Sequence, residues 1–77
     1  MIEQLRALTQ CGKPWAAERA MYAIQITEAA HAGEIGVSEY QELMKDLIRM
    51  DKLDAEADDI AVKTALVQAI YVVGQLA

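Results

Sequence analysis

The sequence predicts an all-α domain, a small bundle of three to four short helices with a central helical hairpin, completed by oligomerisation. Three observations carry this expectation. Alanine, leucine, isoleucine, valine and methionine supply most of a hydrophobic fraction of 55%, and phenylalanine is absent; that mixture favours helix over strand. Glycine and proline punctuate the helical periodicity at Gly12–Lys13–Pro14 and again from Gly33 to Gly36. Finally, a single core in a chain of 77 residues is marginal without a disulfide, a metal or a partner subunit. One cysteine, Cys11, cannot close an internal disulfide, and no metal-ligand set is visible. A partner subunit is the remaining staple, and residues 1–77 read as one helical domain.

In order along the chain, Ile2, Leu5 and Leu8 fall at helical spacing in a first helix over 2–11. Gly12 suits the left-handed end of that helix, and Pro14 suits the first turn of the next. The second helix runs from Pro14 to His31. Ala16, Ala20, Ala23, Thr27 and Ala30 give it one side of small residues, where another helix can approach closely. Trp15, Tyr22, Ile26 and Ala29 line an adjacent side, with Met21 and Ile24 between them. Gly33 ends this helix, and Ser38 with Gln41 matches a capping box that opens a third helix over 39–50. Tyr40, Leu43, Met44, Leu47 and Ile48 form the apolar stripe of that helix. Glu39, Glu42, Lys45, Asp46 and Arg49 form its wet face, with Glu42–Lys45 and Asp46–Arg49 at i,i+3 spacing.

The stretch from Ile60 to Ala77 has no charge after Lys63. A helix that is apolar all round must be covered on all sides. Val62, Leu66, Ala69, Val73 and Leu76 keep the spacing of one helix–helix seam, and Ile60, Thr64, Val67 and Tyr71 make a second. Two seams imply two neighbours. Asp51 or Asp54 is the expected N-cap of this last helix. The uncharged run is shorter than the roughly 20 residues a bilayer span needs, and Gln68 and Gln75 interrupt it, so no membrane partner is expected. The opening residues carry Glu3 and Arg6 and do not read as a signal peptide; with the lone cysteine this points to a reducing, cytoplasmic setting.

Net charge is −5, and residues 33–59 hold nine acids against Lys45, Arg49 and Lys52. A surface of that sign repels phosphate backbones, so nucleic acid is not an expected partner. A helix-turn-helix reading of the Gly33 hairpin fails for the same reason. Its second helix begins Glu39-Tyr40-Gln41-Glu42, with acids where base-reading arginine would stand. A calcium loop counted from Asp54 fails twice, with Asp59 at the glycine position and Ala65 at the glutamate position. His31, the only histidine, lies in the last turn of the second helix, where it complements the helix dipole. Cys11 follows a helix C-terminus and reads as a small apolar residue. No two titratable groups converge as a catalytic site would require. The chain is therefore not expected to be an enzyme, to hold a metal or to carry a cofactor.

Residues 26–47, with Gly33-Glu34-Ile35-Gly36-Val37-Ser38-Glu39-Tyr40 at their centre, resemble the helical hairpin of the short C-terminal domain family. That family's pattern is a leucine-rich helix, a glycine–isoleucine turn, a capping Ser or Thr and an acidic–aromatic pair. The basic residues that follow the aromatic in the family are missing here. The resemblance implies an oligomerising role. In general make-up (tiny, acidic, helical) the chain is also similar to small helical proteins of tailed phages.

The expected function is that of a non-catalytic, self-associating structural or assembly protein, phage-encoded on that last likeness. The expected interface comprises Trp15, Ala20, Tyr22, Ile24, Val62, Leu66, Ala69, Val73 and Leu76. The alternative is a small acidic accessory or inhibitory protein that docks on another protein. It would present Glu39, Glu42, Asp46, Asp54 and Asp58 to a basic surface.

Overall fold

Gly12 adopts φ 82° and Lys13 is extended at φ −114°, ψ 105°. The chain breaks there between α1 (Ile2–Leu8) and α2 (Pro14–His31), as the Gly–Lys–Pro run predicts. The computed structural model describes residues 2–75, and of residues 50–52 and 75 the backbone alone. At the far end of α2, Gly33 takes φ 77°. Its N–H donates to the Ala30 carbonyl at 3.1 Å while Glu34 donates to Ala29 at 2.9 Å. That paired closure needs a left-handed residue, which glycine supplies without a Cβ clash. Gly33→Ala is expected to lower stability by about 1 kcal/mol; an unchanged denaturation midpoint would contradict it.

The hairpin continues into α3 (Val37–Leu47), followed by α4 (Met50–Glu56) and α5 (Ile60–Gln75). Among the described residues there is no strand, and the all-α bundle with a central hairpin is the observed class. Three boundary expectations need correction. Ser38 is not the cap of α3. Gly36 is, extended at φ −79°, ψ 167° and with no side-chain cap, and its carbonyl already accepts the Tyr40 N–H at 2.9 Å. Ser38 is left in the first turn, exposed.

The predicted helix over 39–50 stops at Leu47, because Arg19 of α2 donates its Nε–H to the Leu47 carbonyl at 3.2 Å and Arg49 is extended at φ −63°, ψ 119°. The residues beyond form a separate short helix, α4, which brings the number of helices among the described residues to five. Neither Asp51 nor Asp54 caps the last helix, since both fall within α4. Asp59 does so, accepting the Val62 N–H on Oδ1 at 3.1 Å. Asp59→Ala should therefore cost about 1 kcal/mol, measurable by urea titration, whereas Ser38→Ala should cost close to nothing.

α2 and α5 pack on each other, and each also touches α1 and α3, which fill the two flanks. The small side of α2 is the reason the helices can come together. Ala16, Ala20 and Ala23 are completely buried and Thr27 nearly so. Onto them pack Leu5 and Leu8 of α1, Tyr40 and Met44 of α3, and Leu66, Ala69, Ile70 and Val73 of α5. α4 contributes Leu53, also fully buried.

Two side-chain hydroxyls meet inside this core. The Tyr40 hydroxyl lies 3.0 Å from Thr27 Oγ1 and 3.2 Å from the Val73 carbonyl, and Thr27 Oγ1 lies 2.7 Å from the Ala23 carbonyl. The two hydroxyls share two protons among these contacts. The Val73 carbonyl lies in the last turn of α5, where helix carbonyls turn to donors outside the helix.

The radius of gyration is 11.7 Å, against about 11.5 Å for a compact chain of this length. The accessible surface is 4936 Å², close to the roughly 4,700 Å² of an ordinary monomer of this mass. The chain's own helices thus close one core, and association with another molecule would use surface left outside it.

Candidate interaction surface

The two seams read on the last helix have different fates. Leu66, Ala69 and Val73 of the first seam are buried against α1, α2 and α3, with Val62 half-buried beside them. Ala20 of α2 is likewise core. These residues are corrected from interface to interior: their side chains already touch the chain's own helices and have nothing left for another molecule. Leu76 lies outside the described residues. The second seam is the open one. Ile60 is 82% exposed and Tyr71 58% exposed, Thr64 is exposed and Val67 half-buried, and Val72 adds a further exposed apolar side chain. Lys63, the only charge in this helix, points away from that face and meets Asp54 of α4. The outer face of α5 is therefore uncharged along its described length.

On α2, Trp15 and Ile24 are half-buried at the edge of the core, while Tyr22 is 60% exposed. Met21 is exposed beside Tyr22, with Glu18 and Gln25 on either side. This is a smaller apolar patch broken by charge, unlike the face of α5.

The acidic residues do not form one face. Glu39, Glu42 and Asp46 line a shallow depression on α3 together with Ser38 and Leu43. Asp46 pairs with Arg49 at 3.7 Å, whereas among the described residues neither Glu39 nor Glu42 forms an ion pair, including the expected one with Lys45. Asp54 and Asp58 are exposed but engaged by groups from other elements. Asp54 meets Lys63, and Asp58 accepts the indole N–H of Trp15 at 3.0 Å and lies 3.4 Å from Lys13 Nζ.

The Trp15 hydrogen bond, seconded by the Lys13 charge, holds the Asp58 carboxyl below its ordinary value of 3.8. A lowered carboxylate stabilises the fold above that ordinary value, and the contribution is lost as pH falls through the lowered one. The Trp15 indole N–H resonance should therefore stay fixed from neutral pH downward and move only below about pH 3.8.

Helical spacing on α2 assigns Arg19 no role. In the structure it joins three elements, donating to the Trp15 carbonyl at 3.1 Å, to the Leu47 carbonyl at 3.2 Å and to Glu56 at 2.5 Å. No spacing rule links Arg19 to Leu47 or to Glu56, 28 and 37 residues away.

Among the described residues no group of three or more His, Cys, Asp or Glu side chains is placed to hold a metal ion. His31 is exposed in the last turn of α2, and Cys11 is half-buried against the core. A groove of about 220 Å³ runs between α3 and α5, lined by Met44, Ile48, Ile70, Tyr71 and Gly74 with Gln41 and Lys45. It is smaller than the roughly 300 Å³ at which small-molecule sites begin. Lys45 is its only charge. No described helix is long and apolar enough to cross a membrane. Comparison with protein-family models, curated proteins and solved structures returns no match for this chain.

Proposed function

We propose that the protein is a non-catalytic helical module that self-associates through the outer face of α5 and serves as a structural or assembly component in a reducing, cytoplasmic setting. The observation that carries this reading is the uncharged face of Ile60, Thr64, Tyr71 and Val72 on a 16-residue helix. Apolar side chains so exposed gain free energy when another surface covers them, about 25 cal/mol per Å². The size of the face sets the strength. A helix of that length spans about 24 Å, and a strip about 10 Å wide along it falls well short of the roughly 800 Å² per partner of a stable interface. Association in the micromolar range or weaker is expected, between chains that fold by themselves. Sedimentation from about 1 μM to 1 mM should show a rise in mass with concentration. Ile60→Glu and Tyr71→Glu should each hold the chain monomeric with its helical signal unchanged. A wild-type chain that stays monomeric throughout would refute the proposal.

A second reading rests on Glu39 and Glu42, which flank exposed Leu43 on α3 and form no ion pair among the described residues. An acidic rim around an apolar side chain suits a basic surface on another protein. Glu39→Lys with Glu42→Lys should abolish capture of such a partner and leave self-association through α5 intact.

A further inference from the structure

Three ion pairs join different elements of the described fold, and all three have their acid between residues 54 and 58: Asp54–Lys63, Glu56–Arg19 and Asp58–Lys13. The bases come from α5, from α2 and from the residue just before α2. Of the described α4 side chains, Leu53 alone is buried. Ala57 is half-buried against the core, so among the described side chains the segment is attached by Leu53, by Ala57 and by a row of charges. Beneath it the side chains of Lys13, Arg19 and Lys63 are only 33%, 16% and 24% exposed. The indole N–H of Trp15 points into the same row and is satisfied by Asp58.

We infer that residues 53–58 form an acidic strap held by charge over a cationic groove of Lys13, Arg19 and Lys63, and that this groove binds an acidic peptide when the strap lifts. The strap itself shows which ligand chemistry the groove accepts. Carboxylates at two-residue intervals, from Asp54 through Glu56 to Asp58, each find a cation, and the last also finds the indole. The surface is partly covered in the closed state, in a chain whose overall charge of −5 would not suggest an acidic ligand. Exposed ion pairs are individually weak and screened by salt, so the strap belongs among the segments that open before the rest of a fold does.

The test uses the isotopically labelled full chain. Between about 10 mM and 0.5 M sodium chloride, amide exchange in α4 should quicken by about three- to tenfold while exchange in α2 and α5 holds steady. In a second arm the strap is neutralised as Asp54→Asn, Glu56→Gln and Asp58→Asn. A synthetic peptide of residues 50–59 is then added up to about millimolar concentration, the range at which a tethered segment acts on its own site. The resonance of Trp15, the only indole in the chain, should shift in the neutralised variant and remain fixed in the wild type. A peptide with Asn and Gln in place of its acids should produce no shift. Salt-insensitive exchange in α4 would overturn the strap, and a folded variant whose indole ignores the acidic peptide would overturn the groove. Equal binding of the neutral peptide would overturn the role of charge. Should the triple variant lose its helical signal, Asp58→Asn alone, which frees Lys13 and the indole, is titrated with the same two peptides at low salt and read by the same criteria.

Discussion

Leu66→Asp is expected to unfold the chain at neutral pH. Leu66 is completely buried where α5 meets its neighbours. Removing its side chain forfeits about 2–5 kcal/mol in a close-packed core, and an unpaired carboxylate at the same place adds several kcal/mol more. The whole stability of a domain this size is about 4–12 kcal/mol, so little or none would remain. Circular dichroism should show loss of helix and no cooperative melting. The contrast with Ile60→Glu is the informative part, since the two positions lie on one helix and differ in which way they face. A Leu66→Asp chain that melts cooperatively near the wild-type midpoint would place α5 the wrong way round. Loss of association without loss of fold is expected only from the outer face.

The second large effect is centred on Tyr40. Tyr40→Ala should cost about 3–5 kcal/mol, the range for truncating a buried aromatic, because the ring fills the space where α2, α3 and α5 meet. Tyr40→Phe separates the ring from the hydroxyl. It leaves the Val73 carbonyl without its donor inside the core, a loss of about 1–3 kcal/mol. Thr27→Val should be milder than either. Two protons now serve the contacts around Thr27 and Tyr40, and without the threonine hydroxyl the tyrosine proton goes to Val73 alone. Urea titration of the three variants gives the order Ala, Phe, Val from most to least damaging. Thr27→Val as costly as Tyr40→Phe would show that the threonine hydroxyl, and not Val73, is what Tyr40 needs.

Where the fold was legible, the signal was local. The Gly12–Lys13–Pro14 break and the Gly33 stop follow from backbone constraints on those residues alone, and α2 has its predicted bounds. The small side of α2 was legible too, because alanines at helical spacing have a steric meaning in any context. The end of α3 was not. Nothing between Leu47 and Met50 breaks a helix by itself. The break is supported by Arg19, 28 residues earlier in the chain, and a guanidinium reaching across the bundle leaves no trace in periodicity.

The seams of α5 were ambiguous for a different reason. Both are apolar, so hydrophobicity cannot say which faces inward; that choice depends on the alanine side of α2 and on where Tyr40 and Met44 lie. The acidic stretch misled by position. Asp54, Asp58 and Asp59 look alike in sequence, yet they make an ion pair, an indole contact and a helix cap.

The contact of α5 with α1 also governs how the chain is made. Residues 2–8 find part of their packing on residues 60–75, at the opposite end of the sequence. At about 5–20 residues per second of synthesis, the first helix waits roughly 3–12 s before its partner has been translated. During that interval Leu5, Leu8 and the alanine side of α2 have no α5 to cover them. The native arrangement therefore forms after α5 has left the ribosome, and a chain stalled before Ile60 would present those surfaces to chaperones.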